Sequence, residues 1–170
     1  EMGHPIYSTL SCDNYPYHGH LSEIFIMATV INRTALLSYS AQQMFDIVND
    51  VARYPEYMNN CIGTEILKQD KSFMIARLDL KKGFLRQSFT THNTLYEPER
   101  ICMSLDKGPF SKFCGEWTFK RLDKNACKVS LDLEFEFSSF SVGLASSQLF
   151  TSVANNLVDA LSERAIEVYG

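Results

Sequence analysis

Two adjacent segments decide the fold: 129–137, VSLDLEFEF, and 141–169, SVGLASSQLFTSVANNLVDALSERAIEVY. In the first segment apolar and acidic residues alternate, which predicts an antiparallel strand with one face in water. In the second, apolar residues recur at spacings of three and four, which predicts a helix of roughly 25 residues. The predicted apolar stripe of this helix is Val142, Leu149, Val153, Leu157, Leu161 and Val168, widened by Phe150, Ala154 and Ala165.

Upstream of these segments the period of two repeats several times. A first strand is predicted at 28–37, and further strands at 64–68, 72–81, 84–96, 100–106 and 113–121. Between the first two strands, Ser40 and Gln43 have the spacing of a capping box, and apolar residues at helical spacing follow as far as Val51. A further short helix is predicted at 54–58.

The order of elements predicts an α+β fold. A curved antiparallel sheet of about seven strands wraps around the long C-terminal helix, and two short helices follow strand 1. Because one helix and a curved sheet leave room that side chains do not fill, an apolar cavity is expected between them.

Residues 1–26 differ from the rest of the chain. They contain three of the four histidines and no Lys or Arg, and they show neither helical nor strand periodicity. We expect a non-native or disordered extension here, with Met27 as the true start and 27–170 as the ligand-binding domain.

Composition excludes several classes of protein. Apolar residues make up 45% of the chain and charged residues 21%, as in ordinary globular domains. The five cysteines are odd in number and contain no CxxC pair, which argues against a disulfide framework and a structural zinc site. We therefore expect a cytoplasmic protein, with the periphery of the inner membrane as the alternative location. We expect no metal and no required cofactor.

No catalytic set is evident. The alternating acids Asp132, Glu134 and Glu136 point away from the aromatic face, and there is neither a Gly-x-Ser-x-Gly elbow nor a glycine-rich phosphate loop. We expect a protein that binds and does not catalyse.

The candidate ligand-binding residues are those on the inward face of the strands and the long helix. Gln87, Thr91 and Asn93 are polar residues among them, and they need partners in a ligand, in trapped water or on the helix, where Asn155 and Asn156 are available. The predicted cavity residues are Met74, Leu78, Leu80, Leu85, Gln87, Phe89, Thr91, Asn93, Met103, Leu105, Trp117, Phe119, Phe135, Phe150, Val153 and Leu157.

A second candidate site is a predicted basic hairpin tip. Residues 68–128 contain 13 basic and 7 acidic side chains, and Lys81, Lys82 and Arg86 surround Gly83 and Phe84. Basic residues interleaved with apolar ones suit a membrane surface or an RNA backbone, and an ordinary solvated hairpin is the alternative. No feature of the chain indicates DNA.

Several short strings resemble the START-like, or helix-grip, superfamily. They resemble most its branch of coenzyme-Q-binding proteins and bacterial ribosome-association toxins, which is related to the polyketide cyclases. The strings occur in the family's order throughout 27–170: Arg33-Thr34-Ala35-Leu36, Val48-Asn49-Asp50-Val51, Tyr54-Pro55, Asp106-Lys107-Gly108-Pro109-Phe110, Gly115-Glu116-Trp117-Thr118-Phe119 and Glu167-Val168-Tyr169.

The resemblance implies a non-catalytic protein that holds ubiquinone or a similar lipid between the sheet and the long helix and supports respiration. The alternative that it implies is a toxin that binds the large ribosomal subunit and blocks subunit joining. A third hypothesis is a polyketide-cyclase-like enzyme, which requires a polar cavity with an acid/base pair.

Overall fold

The computed structural model describes residues 28–170, so the expectation for residues 1–26 lies outside the described residues. The elements are β1 (Thr29–Leu37), α1 (Ala41–Asn49), a 3-10 turn (Val51–Arg53), α2 (Tyr54–Tyr57), β2 (Cys61–Gln69), β3 (Phe73–Lys82), β4 (Leu85–Tyr96), β5 (Arg100–Lys107), β6 (Phe110–Asp123), β7 (Ala126–Phe137) and α3 (Phe140–Tyr169).

The seven strands form one antiparallel sheet in the order β1-β7-β6-β5-β4-β3-β2. From β2 to β7 every strand pairs with the next in sequence, and β1 closes the order beside β7. The predicted α+β architecture, with short helices after β1 and a long helix at the C-terminus, is confirmed.

Local sequence signals explain where the helices begin. Ser40 Oγ accepts from the Gln43 backbone N–H at 3.1 Å, and the Gln43 side chain accepts from the Ser40 N–H at 2.9 Å, so the predicted capping box starts α1. Ser139 caps α3 in a similar way through Val142 N–H. With 30 residues, α3 extends for about 45 Å.

The apolar stripe of α3 differs from the prediction in its last turns. Leu149, Phe150, Ala154 and Leu161 are buried as expected, but Val168 is 49% exposed, so its assignment to the stripe is wrong. Val158, which the prediction omitted, is 4% exposed. The final turn of α3 lies beside Gln43 of α1, whose backbone oxygen accepts from the Tyr169 hydroxyl at 3.2 Å, and Val168 on that turn faces away from the core.

An aromatic cluster joins α3 to the sheet. Phe150 on α3 lies 4.8 Å from Phe110 and 5.6 Å from Phe137, measured between ring centroids, and the Phe89 ring is 5.4 Å away. Most of these contacts are edge-to-face, the geometry that aromatic pairs prefer. The cluster fixes the first half of α3 over the sheet.

Leu161→Ala tests the observed stripe. Leu161 is 1% exposed, so we expect the substitution to lower the free energy of unfolding by about 2–5 kcal/mol through lost burial and a cavity. The matched control, Val168→Ala on the same helix, should cost less than about 0.5 kcal/mol. Urea denaturation measures the free energy of unfolding of both variants. Equal losses would contradict the observation that Leu161 faces the core and Val168 faces the solvent.

Candidate functional site

The long helix covers the sheet unequally. It packs mainly against β1 and β7, and its contacts with β3 and β4 are few. Inward residues of β6 and β7, such as Trp117 and Leu131, are fully buried, whereas Leu78, Met103 and Leu105 on β3 and β5 stay half-buried although they share the concave face. The concave face of β3–β5 is therefore partly open, whereas that of β6–β7 is closed.

We call this open region the cleft. Its wall consists of half-buried apolar side chains from the strands together with Val153 and Leu157 of α3: Leu78, Leu85, Phe89, Met103 and Leu105. Strand register places Leu78 opposite Phe89, and Thr91 opposite Leu105, so these positions lie side by side. The floor of the cleft is buried and consists of Met74, Leu80, Thr91 and Asn93.

Four of the predicted cavity residues lie in the packed core instead. Trp117 and Phe119 are each 2% exposed and stack with centroids 6.5 Å apart, and Phe119 packs against Phe45 of α1. Phe135 and Phe150 belong to the aromatic cluster. Of the other twelve predicted residues, four are buried beneath the cleft (Met74, Leu80, Thr91 and Asn93), and the remaining eight are half-buried on its wall or rim.

The inward polar residues of β4 have different surroundings. Gln87 Nε2 donates to Ser146 Oγ of α3 at 2.7 Å. Asn93 is 7% exposed, and its Oδ1 is buried without a hydrogen-bond partner among the described residues. Gln87 therefore joins the sheet to the helix by a hydrogen bond, whereas the amide oxygen of Asn93, on the floor of the cleft, has no hydrogen-bond donor among the described residues.

The helix amides do not contact the polar residues of β4. Asn155 Oδ1 instead accepts from Arg33 Nε and Nη2 of β1, at 3.1 and 2.8 Å, and Asn156 is exposed. The expectation that Asn155 or Asn156 serves Gln87, Thr91 or Asn93 is wrong, because α3 lies closer to β1 than to β4.

Two residues of this region were missed by sequence reasoning. Ser146 is completely buried, and its spacing of four from Val142 and from Phe150 places it on the apolar stripe, a signal that was available. Arg33 lies opposite Leu131, hence on the concave side of the edge strand β1. Nothing in the local sequence indicated that an arginine faces inward there.

The cleft offers no acid/base pair. The inward positions of β3, β4 and β5 carry apolar or neutral polar side chains as far as Lys82 at the tip. His92 lies on the other face and stacks on Phe73 at 5.3 Å, and Glu134 pairs with Lys112 on that outer face. The arrangement suits the binding of an apolar molecule rather than proton transfer.

The described thiols are not activated nucleophiles. Cys61, Cys102 and Cys127 are free, and burial raises the pKa of each. For Cys102, burial together with its hydrogen bond to the Glu116 carboxylate raises the pKa to about 11.

The basic hairpin tip is formed as predicted, and its three cations divide between two faces. Gly83, at φ +62°, and Phe84 make the turn between β3 and β4. Lys81 pairs with Arg86 across the strands on the outer face, whereas Lys82 pairs with Leu85 on the concave face. Phe84 at the tip is completely exposed.

Lys82 reaches the polar side of α3. A groove with a volume of about 440 Å³ lies between them. It is lined by Lys82, Ser147, Gln148, Thr151, Ser152 and Asn155. The hairpin tip is therefore also part of the rim around the helix.

Comparison with known proteins supports this description. A family model described as polyketide cyclase / dehydrase and lipid transport matches residues 37–162. The chain belongs to this family. The match covers the elements from α1 to β7 and most of α3, so the cleft lies within the matched region, whereas β1 lies outside it except for Leu37.

Two proteins that are similar to this chain are named for different functions. A protein of Vibrio cholerae named ribosome association toxin RatA is 47% identical over 140 residues, which are 82% of this chain and 97% of that protein. A Dictyostelium discoideum protein named coenzyme Q-binding protein COQ10, mitochondrial, is 25% identical over 81% of this chain and 69% of that protein.

A solved structure confirms the fold. A START superfamily protein from Mycobacterium smegmatis superposes with a TM-score of 0.68 and 23% identity, over 82% of this chain and 98% of that one. Within residues 28–170, no helix combines the length and apolarity needed to cross a membrane, and no group of His, Cys, Asp and Glu side chains is arranged to hold a metal.

Proposed function

We propose that this member of the family acts by associating with the ribosome, and that its target is the large subunit. The observation that carries the proposal is the 47% identity to the Vibrio cholerae ribosome association toxin over 97% of that protein's length. The Dictyostelium discoideum protein named for coenzyme Q binding is more distant, at 25% identity. The ribosome therefore replaces the quinone as the main candidate partner.

The outer face of the β3–β4 hairpin is the surface that we propose for ribosomal RNA. Lys81 and Arg86 are paired across it, and neither has an acidic partner within ion-pair distance among residues 28–170. Such cations are available to phosphates, whose neutralisation releases counterions. The exposed Phe84 ring beside them suits stacking on an unpaired base.

Charge reversal tests this surface. The double substitution Lys81→Glu with Arg86→Glu should weaken co-sedimentation with the large subunit at least tenfold. It should also flatten the dependence of log affinity on log salt by roughly one to two, since about two phosphate contacts are lost. Phe84→Ser should weaken binding without changing the salt slope, because stacking releases no counterions.

A matched control exists on the same sheet. Lys120 and Lys128 are also paired across two strands, β6 and β7, and are exposed. Reversing both to Glu makes the same change in net charge far from the hairpin, and it should leave the association intact. Equal loss in the two double variants would mean that net charge and not the hairpin governs binding, which would contradict the proposed surface.

A second candidate function is the binding of an apolar ligand, and the half-open cleft supports it. The wall is apolar, its side chains are only half-buried, and the family is described by lipid transport. An isoprenoid quinone such as ubiquinone is the ligand that the similarity to the Dictyostelium discoideum protein favours. The two functions use different faces of the sheet, so one protein can have both.

Extraction of the purified protein tests the second function. We expect organic extraction, followed by mass spectrometry, of protein produced in a bacterial host to yield a lipid in a fixed ratio to protein. The variant Leu105→Arg, with a charge on the half-buried wall, should carry much less. Equal amounts of lipid from both proteins would place the lipid outside the cleft and contradict the proposal.

A further inference from the structure

The amide of Asn93 is the one polar group on the cleft floor whose oxygen is buried without a partner among residues 28–170. The side chain is 7% exposed. Its cross-strand neighbours are Met74 on β3 and Met103 on β5, and a thioether has no proton to donate. The part of the chain that the structure describes thus supplies no donor for this oxygen.

A buried carbonyl oxygen without a donor is costly, and such groups are rare in native proteins. The flanking strands have methionine at the positions paired with Asn93. An apolar residue such as leucine at position 93 would therefore pack between them without the cost of an unpaired carbonyl oxygen. Gln87, on the same face of β4, shows the contrast, because its amide is satisfied by Ser146 at 2.7 Å. Asn93 therefore has the position, and an acceptor oxygen without a donor among residues 28–170, that an anchor for a bound molecule requires.

We propose that Asn93 is the polar anchor of the cleft and that it selects ligands with a hydroxyl group on an apolar body. The hydroxyl donates to Asn93 Oδ1, and the apolar body lies along Leu78, Leu105 and Leu157. This proposal rests on the apolar-ligand function above and makes its chemistry specific. An ether or an oxidised quinone has only acceptors and leaves Oδ1 unsatisfied. An alcohol, a phenol or the reduced quinol form of the isoprenoid quinone proposed above satisfies it.

A matched pair of probes tests the anchor. Para-octylphenol and para-octylanisole share the ring and chain and differ in that a methyl group replaces the hydroxyl proton. By calorimetric titration the unaltered protein should bind the phenol about tenfold more tightly, the value of one hydrogen bond to a buried partner. Asn93→Leu should bind the two probes equally.

Asn32→Leu is the matched control variant. It also replaces a strand amide by an apolar side chain, but on the outer face of β1, where Asn32 Nδ2 donates to the Asp132 carboxylate at 2.5 Å, so it should keep the tenfold preference. Asn93→Leu without ligand should melt at a higher temperature than the unaltered protein, because the unsatisfied oxygen is gone.

The outcomes separate the anchor from the ligand-binding function on which it rests. Equal affinities of the unaltered protein for the phenol and the anisole would contradict the role of Asn93 as an anchor but not the binding of apolar ligands in the cleft. Binding of neither probe would overturn both. Lower thermal stability of Asn93→Leu, together with an unchanged preference for the phenol, would mean that Asn93 binds a structural water. That result would also contradict the role of Asn93 as an anchor.

Discussion

The packing of α3 against β1 and β7 is the constraint on which the rest of the structure depends. A helix is about 10 Å wide, whereas seven strands about 4.8 Å apart span about 29 Å. One helix cannot cover such a sheet, and the aromatic cluster around Phe150 fixes it at one side. Together with α1, which packs on β6 and β7, the helix buries one half of the concave face and leaves β3–β5 partly open.

The two candidate sites follow from this asymmetry. The uncovered half of the concave face is an apolar cleft with the unsatisfied Asn93 on its floor. The same strands β3 and β4 continue into the hairpin, whose outer face carries Lys81 and Arg86. Lys82 lies between the cleft and the outer face of the hairpin, because it lines the groove along α3. Occupation of the cleft and binding at the hairpin thus involve one pair of strands.

Most of the fold could be predicted from sequence because it depends on local patterns. The period of two located the strands, and Ser40 with Gln43 located α1. The prediction failed where position depends on distant contacts. Val168 falls on the predicted stripe but is 49% exposed, because Tyr169 is the residue of that last turn that packs against the core. Asn155 pairs with Arg33 because the helix lies towards β1. The unsatisfied state of Asn93 depends on its neighbours on β3 and β5, which strand register alone reveals.

The central claim is that the helices cover β6 and β7 but leave the concave face of β3–β5 partly open. Its most direct test is nuclear magnetic resonance of isotope-labelled methionine methyl groups during titration with para-octylphenol. Met103 is half-buried on the wall of the cleft, and Met74 is buried in its floor beside Asn93, whereas Met44 on α1 and Met58 after α2 are buried in the core away from Asn93. The account predicts that the signals of Met74 and Met103 move with saturation while those of Met44 and Met58 stay in place. Shifts of equal size at all four methionines, or none at Met74 and Met103 when the probe is bound, would contradict it.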